Sequence, residues 1–329
     1  MLFDNHGRQI NYVRIAVTDR CNLRCSYCMP EEGIQYMPKK DLLTFEEIGR
    51  LVALLADMGI SKVRFTGGEP FVRKDFMRLV QSVSNIKGIA GIHITTNGVL
   101  TAPYVKELKQ AGVKSVNLSL DTLDKERFKN ITRRDEFDVV METLNLLLAE
   151  NIEVKLNTVV IEGKNIDDIL PLVAFTRSNP VSIRFIEEMP FNGGGSHYPT
   201  LNWTHQKIVG HIKSAYPGLS KLKDEANSTS YNYSIPGHQG NVGVIAAFSR
   251  TFCGTCDRIR ITAQGTLKTC LYDNGVLNIR DLMRAGVSDN ELKKTLLKAF
   301  KNRAKDGFEA ERQRKKGIGV SESMSTIGG

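Results

Sequence analysis

The chain of 329 residues is 41% hydrophobic and 25% charged, a composition typical of a globular protein with a sizeable core. It contains no apolar run of about 18 residues and no signal-like apolar stretch near its start, so the sequence predicts a cytoplasmic protein without a membrane span. Lysine and arginine outnumber aspartate and glutamate by 45 to 36. This excess favours an anionic partner, although a merely soluble basic protein fits it equally well.

Strand-like segments alternate with helical patterns over the first 190 residues. Strands are predicted at 13–18, 62–67, 93–96, 115–120, 153–161 and 182–189, with helices from 44 and at about 74–84, 102–111, 137–148 and 166–177. Thr44 and Glu47 form a capping box at the start of the first helix. The alternation predicts a parallel sheet with right-handed crossovers, either open or curled into a partial barrel, whose ligand site lies at the carboxyl ends of the strands.

The pattern changes after residue 190, which divides the chain into predicted domains 1–190 and 191–329. A flexible glycine-rich loop is predicted at 192–196, helices at about 204–216, 278–285 and 288–304, and strands at 241–248 and 258–262. The stretch from 307 to the last residue has no apolar period, so taken alone it predicts a disordered basic tail.

Six cysteines fall into two groups of three, which suggests metal ligands rather than disulfide pairs. Cys21, Cys25 and Cys28 have C-x3-C-x2-C spacing in the loop after the first predicted strand. Three thiolates are one short of the usual four for a four-iron cluster, so one iron would keep a position open for an outside ligand. A zinc site completed by a distant residue and three free thiols are the alternatives.

Further residues of interest surround this first triad in the predicted fold. Tyr27 precedes the third cysteine, and Gly68 lies in TGGEP directly after the second strand. Glycines in such a turn let the backbone approach a small ligand closely. Ser119 and Met189 stand at the ends of the fourth and sixth strands, on the same rim, where residues of these types more often serve packing alone.

A second triad consists of Cys253, Cys256 and Cys270. It indicates either a zinc ribbon that lacks one ligand or a second cluster with a vacant iron. Arg258 and Arg260 follow the first pair directly, and in an extended segment they point to the same side. Two aligned guanidinium groups suit a polyphosphate, although a solvated strand edge is the commoner reason for such a pair.

In this order, CNLRCSYCMP, TGGEP, TTNG, NLSLD, FCGTCDRIRIT and a final pair of glycines resemble the GTP 3′,8-cyclase family of radical S-adenosylmethionine (SAM) enzymes. The resemblance runs from Arg14 to Gly329. It implies an α/β fold, an incomplete (β/α)6 TIM-like barrel followed by an α+β region with a second iron–sulfur cluster. It also implies a lyase that converts GTP into 3′,8-cyclised dihydro-GTP early in molybdenum cofactor biosynthesis.

The resemblance further implies a role for each site residue. Two [4Fe–4S] clusters would be held, the first by Cys21, Cys25 and Cys28 and the second by Cys253, Cys256 and Cys270. SAM would contact Tyr27, Gly68, Ser119 and Met189, whereas GTP would contact Arg14, Arg64, Thr95, Lys155, Arg258, Ile259 and Arg260. A 5′-deoxyadenosyl radical would take hydrogen from ribose C3′, and the C3′ radical would attack guanine C8. Gly328 and Gly329 are predicted as catalytic residues that reach into the site.

The same resemblance implies an external electron donor, a downstream cyclic pyranopterin monophosphate synthase and a homodimer, with no membrane or nucleic-acid partner. One alternative is another radical SAM enzyme with an auxiliary cluster, such as a peptide-maturing enzyme. A second is a zinc-binding, basic nucleic-acid-binding protein. The aromatic content of only 7% disfavours the second, because single-stranded nucleic acids are bound largely by stacking on aromatic side chains.

Overall fold

A computed structural model of the protein describes residues 1–191, 201–314 and 323–328. One mixed sheet of twelve strands forms its centre within these residues. The strands are β1 (Tyr12–Ala16), β2 (Lys62–Thr66), β3 (Gly91–Thr96), β4 (Val113–Ser119), β5 (Glu153–Val160), β6 (Ser182–Glu187), β7 (Ser220–Lys221), β8 (Ser230–Ser234), β9 (Asn241–Ile245), β10 (Arg258–Ile261), β11 (Thr266–Lys268) and β12 (Leu277–Asn278). Their order across the sheet is β12-β11-β10-β1-β2-β3-β4-β5-β6-β9-β8-β7.

Helices accompany the sheet, and those that connect the parallel strands cover one of its faces. The helices are α1 (Phe45–Asp57), α2 (Phe76–Ser84), α3 (Val105–Gln110), α4 (Lys125–Thr132), α5 (Phe137–Ala149), α6 (Ile169–Phe175), α7 (His205–Ala215), α8 (Ile279–Arg284), α9 (Asp289–Phe300), α10 (Gly307–Gln313) and α11 (Met324–Ile327). The predicted capping box begins α1: Thr44 Oγ1 accepts from the Glu47 amide at 3.1 Å, and the Glu47 carboxylate accepts from the Thr44 amide at 2.8 Å. None of the helices in the described residues has the length and apolar character needed to cross a membrane.

The predicted incomplete barrel of the radical SAM type is confirmed. Strands β1 to β6 pair in parallel in chain order, with a helical crossover between each pair. The parallel part extends further, because β10 pairs in parallel with β1 and β9 with β6. The sheet is open over the described residues, with β12 and β7 at its two edges. Strands that follow residue 190 therefore continue the sheet built by those that precede it.

Along each parallel strand, side chains alternate between two faces of the sheet. One face packs into the core, and the opposite one, which we term the functional face, lines open space. On β5, Val154, Leu156 and Thr158 are buried, while Lys155 and Asn157 are half-buried on the opposite face. The buried set packs against the surrounding helices, and the other set lines open space. The fold thus directs every second side chain of a strand toward the predicted ligand site.

Several elements of the fold were not predicted from the sequence, among them strands β7, β8, β11 and β12. Helix α4 follows β4, capped by Asp124, whose side chain accepts from the Arg127 amide at 2.7 Å. The prediction of a structureless tail from residue 307 is wrong for the described residues, which contain α10 and α11. Ala310 and Ile327 pack with Phe191 and Tyr272, so distant contacts order segments that have no apolar period of their own. The glycine-rich loop predicted at 192–196 lies outside the described residues.

Replacement of Phe185 by alanine tests the core. Phe185 lies on β6 with no exposed surface. Because a cavity would replace the ring, we expect the free energy of unfolding to fall by about 3–5 kcal/mol. Leu297→Ala is the matched control, since Leu297 is 41% exposed on α9, and its effect should stay within about 0.5 kcal/mol. Urea unfolding measures both variants, and equal effects would contradict this description of the core.

Candidate functional site

Two adjoining cavities open on the functional face: the first lies at the carboxyl ends of the parallel strands, whereas the second extends along the face to Tyr12 and Lys62, the first residues of β1 and β2. The first contains Cys21, Cys25 and Cys28, and the second contains Cys253, Cys256 and Cys270. Four residues line both cavities: Asn157, Ile186, Met189 and Met324. The two cysteine triads, more than two hundred residues apart in the chain, therefore face neighbouring spaces that share a wall.

The loop after β1 presents the first triad in a tight turn. The carbonyl of Cys25 accepts from the amides of Cys28 at 2.9 Å and Met29 at 3.1 Å. The same loop is fastened to the end of α4, because the Ser26 amide donates to the Ile131 carbonyl at 3.0 Å. Helix α4, which was not predicted, thus supports the loop that carries the first triad.

Gly67 and Gly68 bring the turn after β2 against this loop. The Gly68 amide donates to the Thr18 carbonyl at 2.8 Å, and a Cβ atom on Gly68 would lie 2.2 Å from the Arg20 carbonyl oxygen. A Cβ on Gly67 would lie 2.3 Å from the Thr18 oxygen. Only glycine fits at either position, because backbone atoms occupy the space that a side chain would need.

Glu69 ties the glycine turn to the end of β3, a role that the sequence analysis missed. It has no exposed surface, and its carboxylate accepts from the Asn97 amide at 2.7 Å and from Thr96 Oγ1 at 2.8 Å. Burial raises its pKa to about 7. Asn97 in turn donates through Nδ2 to Cys21 Sγ at 3.6 Å. The sequence could have indicated this role, because Glu69 is the acidic residue of the TGGEP motif.

Tyr27 and Asp121 form a second polar contact in the first cavity. The Tyr27 hydroxyl donates to Asp121 Oδ2 at 2.9 Å, while Oδ1 accepts from the Val159 amide at 2.8 Å. Burial raises the pKa of Asp121 to about 6. Gly68, Ser119 and Met189 line the same cavity as this pair, so all four predicted SAM-contacting residues lie together. Asp121 was not predicted, although NLSLD places it at the end of β4.

The second cavity is strongly basic. Eleven lysines and arginines line it against three acidic residues. The basic residues are Arg8, Arg14, Lys62, Arg64, Lys155, Arg184, Arg250, Arg258, Arg260, Lys268 and Arg303. An excess of this size in one enclosed space favours a multiply charged anion such as a polyphosphate.

Sheet register arranges several of these cations in rows. Arg14 on β1 is paired with Arg260 on β10 and with Arg64 on β2, so three guanidinium groups come from neighbouring strands at one level. Two residues earlier on each of these strands, Tyr12 pairs with Arg258 and Lys62. Side chains two residues apart point to the same face, and both rows therefore line the cavity.

Burial and the crowding of like charges lower the pKa values of cations in this cavity. Burial and the Arg258 guanidinium lower the pKa of Arg260 to about 10, and burial together with Arg64 lowers the pKa of Arg184 to about 10. Burial alone would raise the pKa of Tyr12, but Arg64 and Arg14 lower it to about 8. An anion would relieve this repulsion, so the cavity is arranged for a negatively charged ligand.

The second triad also lines this cavity. Asp273 orders its third member, since Oδ2 accepts from the amides of Cys270 and Thr269, each at 2.8 Å. Burial alone would raise the pKa of Cys256, but the guanidinium groups of Arg258 and Arg303 lower it. The sequence analysis assigned no role to Arg303, which lies far from the triad in the chain.

The zinc alternative requires a convergence of ligands that the described residues do not show. A zinc ion requires its ligands to converge on one point at about 2.3 Å from sulfur. Across residues 1–191, 201–314 and 323–328, no three His, Cys, Asp or Glu side chains are placed to hold one metal ion. A four-iron cluster binds each thiolate through a different iron and needs no such convergence. Burial raises the pKa of Cys21 and of Cys270 to about 12, so metal binding would have to hold these thiols deprotonated.

Two residues predicted to contact GTP, Thr95 and Ile259, do not line the second cavity. Thr95 lines the first cavity, where its Oγ1 accepts from Arg64 Nη1 at 3.5 Å. The Ile259 side chain is fully buried in the core, because it alternates with Arg258 and Arg260. Any contact of Ile259 with a ligand would have to come from its main chain.

The segment 323–328 runs along both cavities. Ser323 Oγ donates to the Cys28 carbonyl at 2.7 Å, and the Met324 amide donates to the Phe191 carbonyl at 3.0 Å. At its other end the Gly328 carbonyl accepts from Arg260. Gly328 thus contacts a residue predicted to bind GTP, whereas Gly329 lies outside the described residues.

Similar proteins share both halves of this arrangement. The model of the radical SAM superfamily matches residues 15–176, and that of Molybdenum Cofactor Synthesis C matches residues 181–308. The GTP 3′,8-cyclase of Chlorobaculum tepidum is 39% identical over all of this chain and 97% of its own length. Molybdenum cofactor biosynthesis protein 1 of Mus musculus is 44% identical over 88% of this chain and 46% of its own length. The chain thus spans about half of the latter kind of relative.

Solved structures share the fold at low identity. Streptococcus suis SuiB bound to S-adenosylmethionine aligns with a TM-score of 0.64 at 16% sequence identity. The alignment covers 95% of this chain and 72% of that chain. At this identity the likeness shows a common fold and carries no argument about substrate.

Replacement of Arg260 by glutamine tests the polyphosphate interpretation. Inorganic triphosphate is the probe, measured by isothermal titration calorimetry at low salt. A charge-assisted hydrogen bond contributes about 1.5–3 kcal/mol, so we expect affinity to fall about 10- to 100-fold. The control is Arg50→Gln, because Arg50 pairs with Asp289 on the outer surface. Unchanged affinity in Arg260→Gln would contradict the interpretation.

Proposed function

Because the chain belongs to the GTP 3′,8-cyclase family of the radical SAM superfamily, we propose that it catalyses the radical cyclisation of GTP. The product is (8S)-3′,8-cyclo-7,8-dihydroguanosine 5′-triphosphate, an early intermediate of molybdenum cofactor biosynthesis. One observation carries the proposal: a cavity with three thiols and a basic cavity with three more thiols adjoin across a shared wall. A peptide-maturing enzyme would have little use for eleven basic side chains in one space.

The first cavity fits a four-iron cluster and SAM. Three thiols on one loop supply an incomplete ligand set, and Gly68, packed against that loop, lines the cavity where the methionyl part of SAM would lie. When bound, these groups supply a 5′-deoxyadenosyl radical. Tyr27, held by Asp121, would orient the adenine, and Ser119 and Met189 would enclose the nucleoside.

The second cavity fits GTP and a second cluster. We assign the triphosphate to the row formed by Arg260, Arg14 and Arg64, with Lys155 and Arg258 nearby. The guanine base would face the second triad, where the ligand set is again one thiolate short of the usual four. The ribose would then lie at the shared wall, within reach of the first cavity. This placement orients C3′ toward the radical and keeps the triphosphate away from it.

The segment 323–328 completes the site in this proposal. Its Gly328 carbonyl contacts Arg260, one of the proposed phosphate ligands, and Met324 lines both cavities. Gly328 and Gly329 would thus act beside the reacting nucleotide and exclude water from it. An external electron donor, a downstream cyclic pyranopterin monophosphate synthase, a cytoplasmic location and a homodimer complete the proposal.

Anaerobic reconstitution tests the function directly. The full chain is loaded with iron and sulfide, then given SAM, GTP and a strong reductant. About eight irons per chain, with 5′-deoxyadenosine and cyclised GTP both dependent on GTP, would support the proposal. Cleavage of SAM without a GTP product would keep the radical chemistry but overturn the substrate. Zinc without iron would overturn both.

A Cys253→Ser variant tests the separation of the two triads. We expect cyclisation to be lost while some SAM cleavage persists, because only the second ligand set is damaged. Iron should fall to about four per chain. Ser249→Ala is the control, since the Ser249 hydroxyl donates to Glu187 and not to either triad. Loss of all SAM cleavage in Cys253→Ser would show that the two triads do not have separate roles.

A Gly328→Ala variant tests the segment beside the cavities. Gly328 has a φ of 80°, and a Cβ atom there would lie 2.8 Å from Thr66 Cγ2. We therefore expect loss of product with both clusters retained. Gly286→Ala is the matched control, since Gly286 has a φ of 79° with no atom within 4 Å of the added Cβ. Full activity of Gly328→Ala, measured by product chromatography, would contradict the assignment.

A further inference from the structure

A buried charge cluster lies behind the second triad, outside the roles assigned so far. It joins Asp4 and Arg8, in the turn formed by residues 3–9, to Arg303 after α9. The Asp4 side chain is fully buried, and those of Arg303 and Arg8 are 3% and 8% exposed. Asp4 Oδ2 accepts from Arg8 Nε at 2.7 Å and from Arg303 Nη1 at 3.1 Å.

Arg303 contacts the main chain around the triad at several points. Its Nη2 donates to the carbonyls of Thr269 at 2.9 Å and Arg258 at 3.0 Å, and its Nη1 donates to the Cys256 carbonyl at 3.3 Å. Nη2 also donates to Cys256 Sγ at 3.9 Å. One guanidinium group thus links the segment that holds Cys256 to the one that leads into Cys270.

Arg8 extends the same arrangement to the remaining cysteine. Its Nη1 donates to the Cys253 carbonyl at 3.0 Å and to the Lys305 carbonyl at 2.7 Å. The turn also contacts the main chain of Arg303, because the Arg303 amide donates to Asn5 Oδ1 at 3.1 Å. All three cysteine segments therefore depend on two arginines that share one buried carboxylate.

We propose that the turn formed by residues 3–9, through Asp4, Arg8 and Arg303, positions the second cysteine triad, and that Arg303 tunes the cluster held there. This inference rests on the proposed function in requiring a cluster at that triad. Groups outside the ligand set orient ligands and modify metal affinity, and hydrogen bonds to the sulfurs set cluster potentials. Arg303 is a positioning residue in this account, since it acts through Cys256. The turn precedes the residues matched by both family models.

The experiment uses the full chain with Cys21, Cys25 and Cys28 replaced by alanine, so that only the second triad binds iron. Arg303→Gln and Arg303→Lys are introduced into this background and reconstituted anaerobically. Arg284→Gln is the matched control, since Arg284 also pairs with a carboxylate, Glu47, and donates to main-chain carbonyls, but its partners belong neither to the turn nor to a cysteine triad. Two quantities are measured: the chelator concentration that removes half of the iron, and the reduction potential followed by electron paramagnetic resonance.

For Arg303→Gln we expect the chelator concentration to fall about 10- to 100-fold. Arg303→Lys keeps the charge, but one ammonium nitrogen cannot replace both the Nη2 contacts with Cys256 Sγ and Thr269 and the separate Nη1 contact with Asp4. It should therefore retain iron with a lowered potential and an altered spectrum. If Arg303→Gln does not fold, as judged by circular dichroism, Arg303→Lys decides the question alone.

The outcomes separate the inference from the proposed function. Parent-like chelator resistance and potential in both Arg303 variants would overturn the inference and leave the second cluster in place. A change of the same size in Arg284→Gln would also overturn it, because the effect would then be one of general stability. Absence of iron in the parent background would overturn the second cluster itself, and the inference with it.

Discussion

The parallel pairing of β10 with β1 is the constraint on which the site depends. It joins residues 258–261 to residues 12–16 and sets Arg260 beside Arg14 at the same level. Cys253 and Cys256 precede β10, and Cys270 follows β11, which pairs with β10, so the same pairing brings the second triad to the face where the first triad lies. Without it, the chain would contain two incomplete ligand sets and scattered basic residues. The shared sheet converts them into adjoining cavities.

A second consequence concerns the cost of burying so much positive charge. Burial of the guanidinium groups of Arg14, Arg64 and Arg260 and repulsion between them work against folding without a ligand, as the lowered pKa values of Arg14 and Arg260 indicate. Main-chain contacts such as that of Arg64 Nη1 with the Ile94 carbonyl, at 3.0 Å, offset part of this cost. An anionic ligand would offset more, so binding of a triphosphate should also stabilise the fold. Selectivity for polyphosphates and ligand-dependent stability thus have one origin.

Local patterns in the sequence were sufficient to predict the alternating strands and helices, the capping box at Thr44 and the shared orientation of Arg258 and Arg260. Motif resemblance supplied the family, which is confirmed. Pairings across long sequence separations were beyond such reasoning. Arg303 and Asp4 show no local pattern that points to the second triad, and the order of 323–328 depends on contacts with Cys28 and Phe191. Glu69 and Asp121 could have been found, since each is an acidic residue at the carboxyl end of a strand.

The wall between the cavities contains two half-buried methionines, Met189 and Met324. Their thioethers are flexible and apolar, which suits a partition that must adapt to a nucleoside on each side. The same chemistry makes the partition sensitive to oxidation, since a sulfoxide is polar and alters packing. Oxidation of these methionines and loss of a cluster would therefore require different repairs. Fresh iron and sulfide would restore the metal, whereas only sulfoxide reduction would restore the wall.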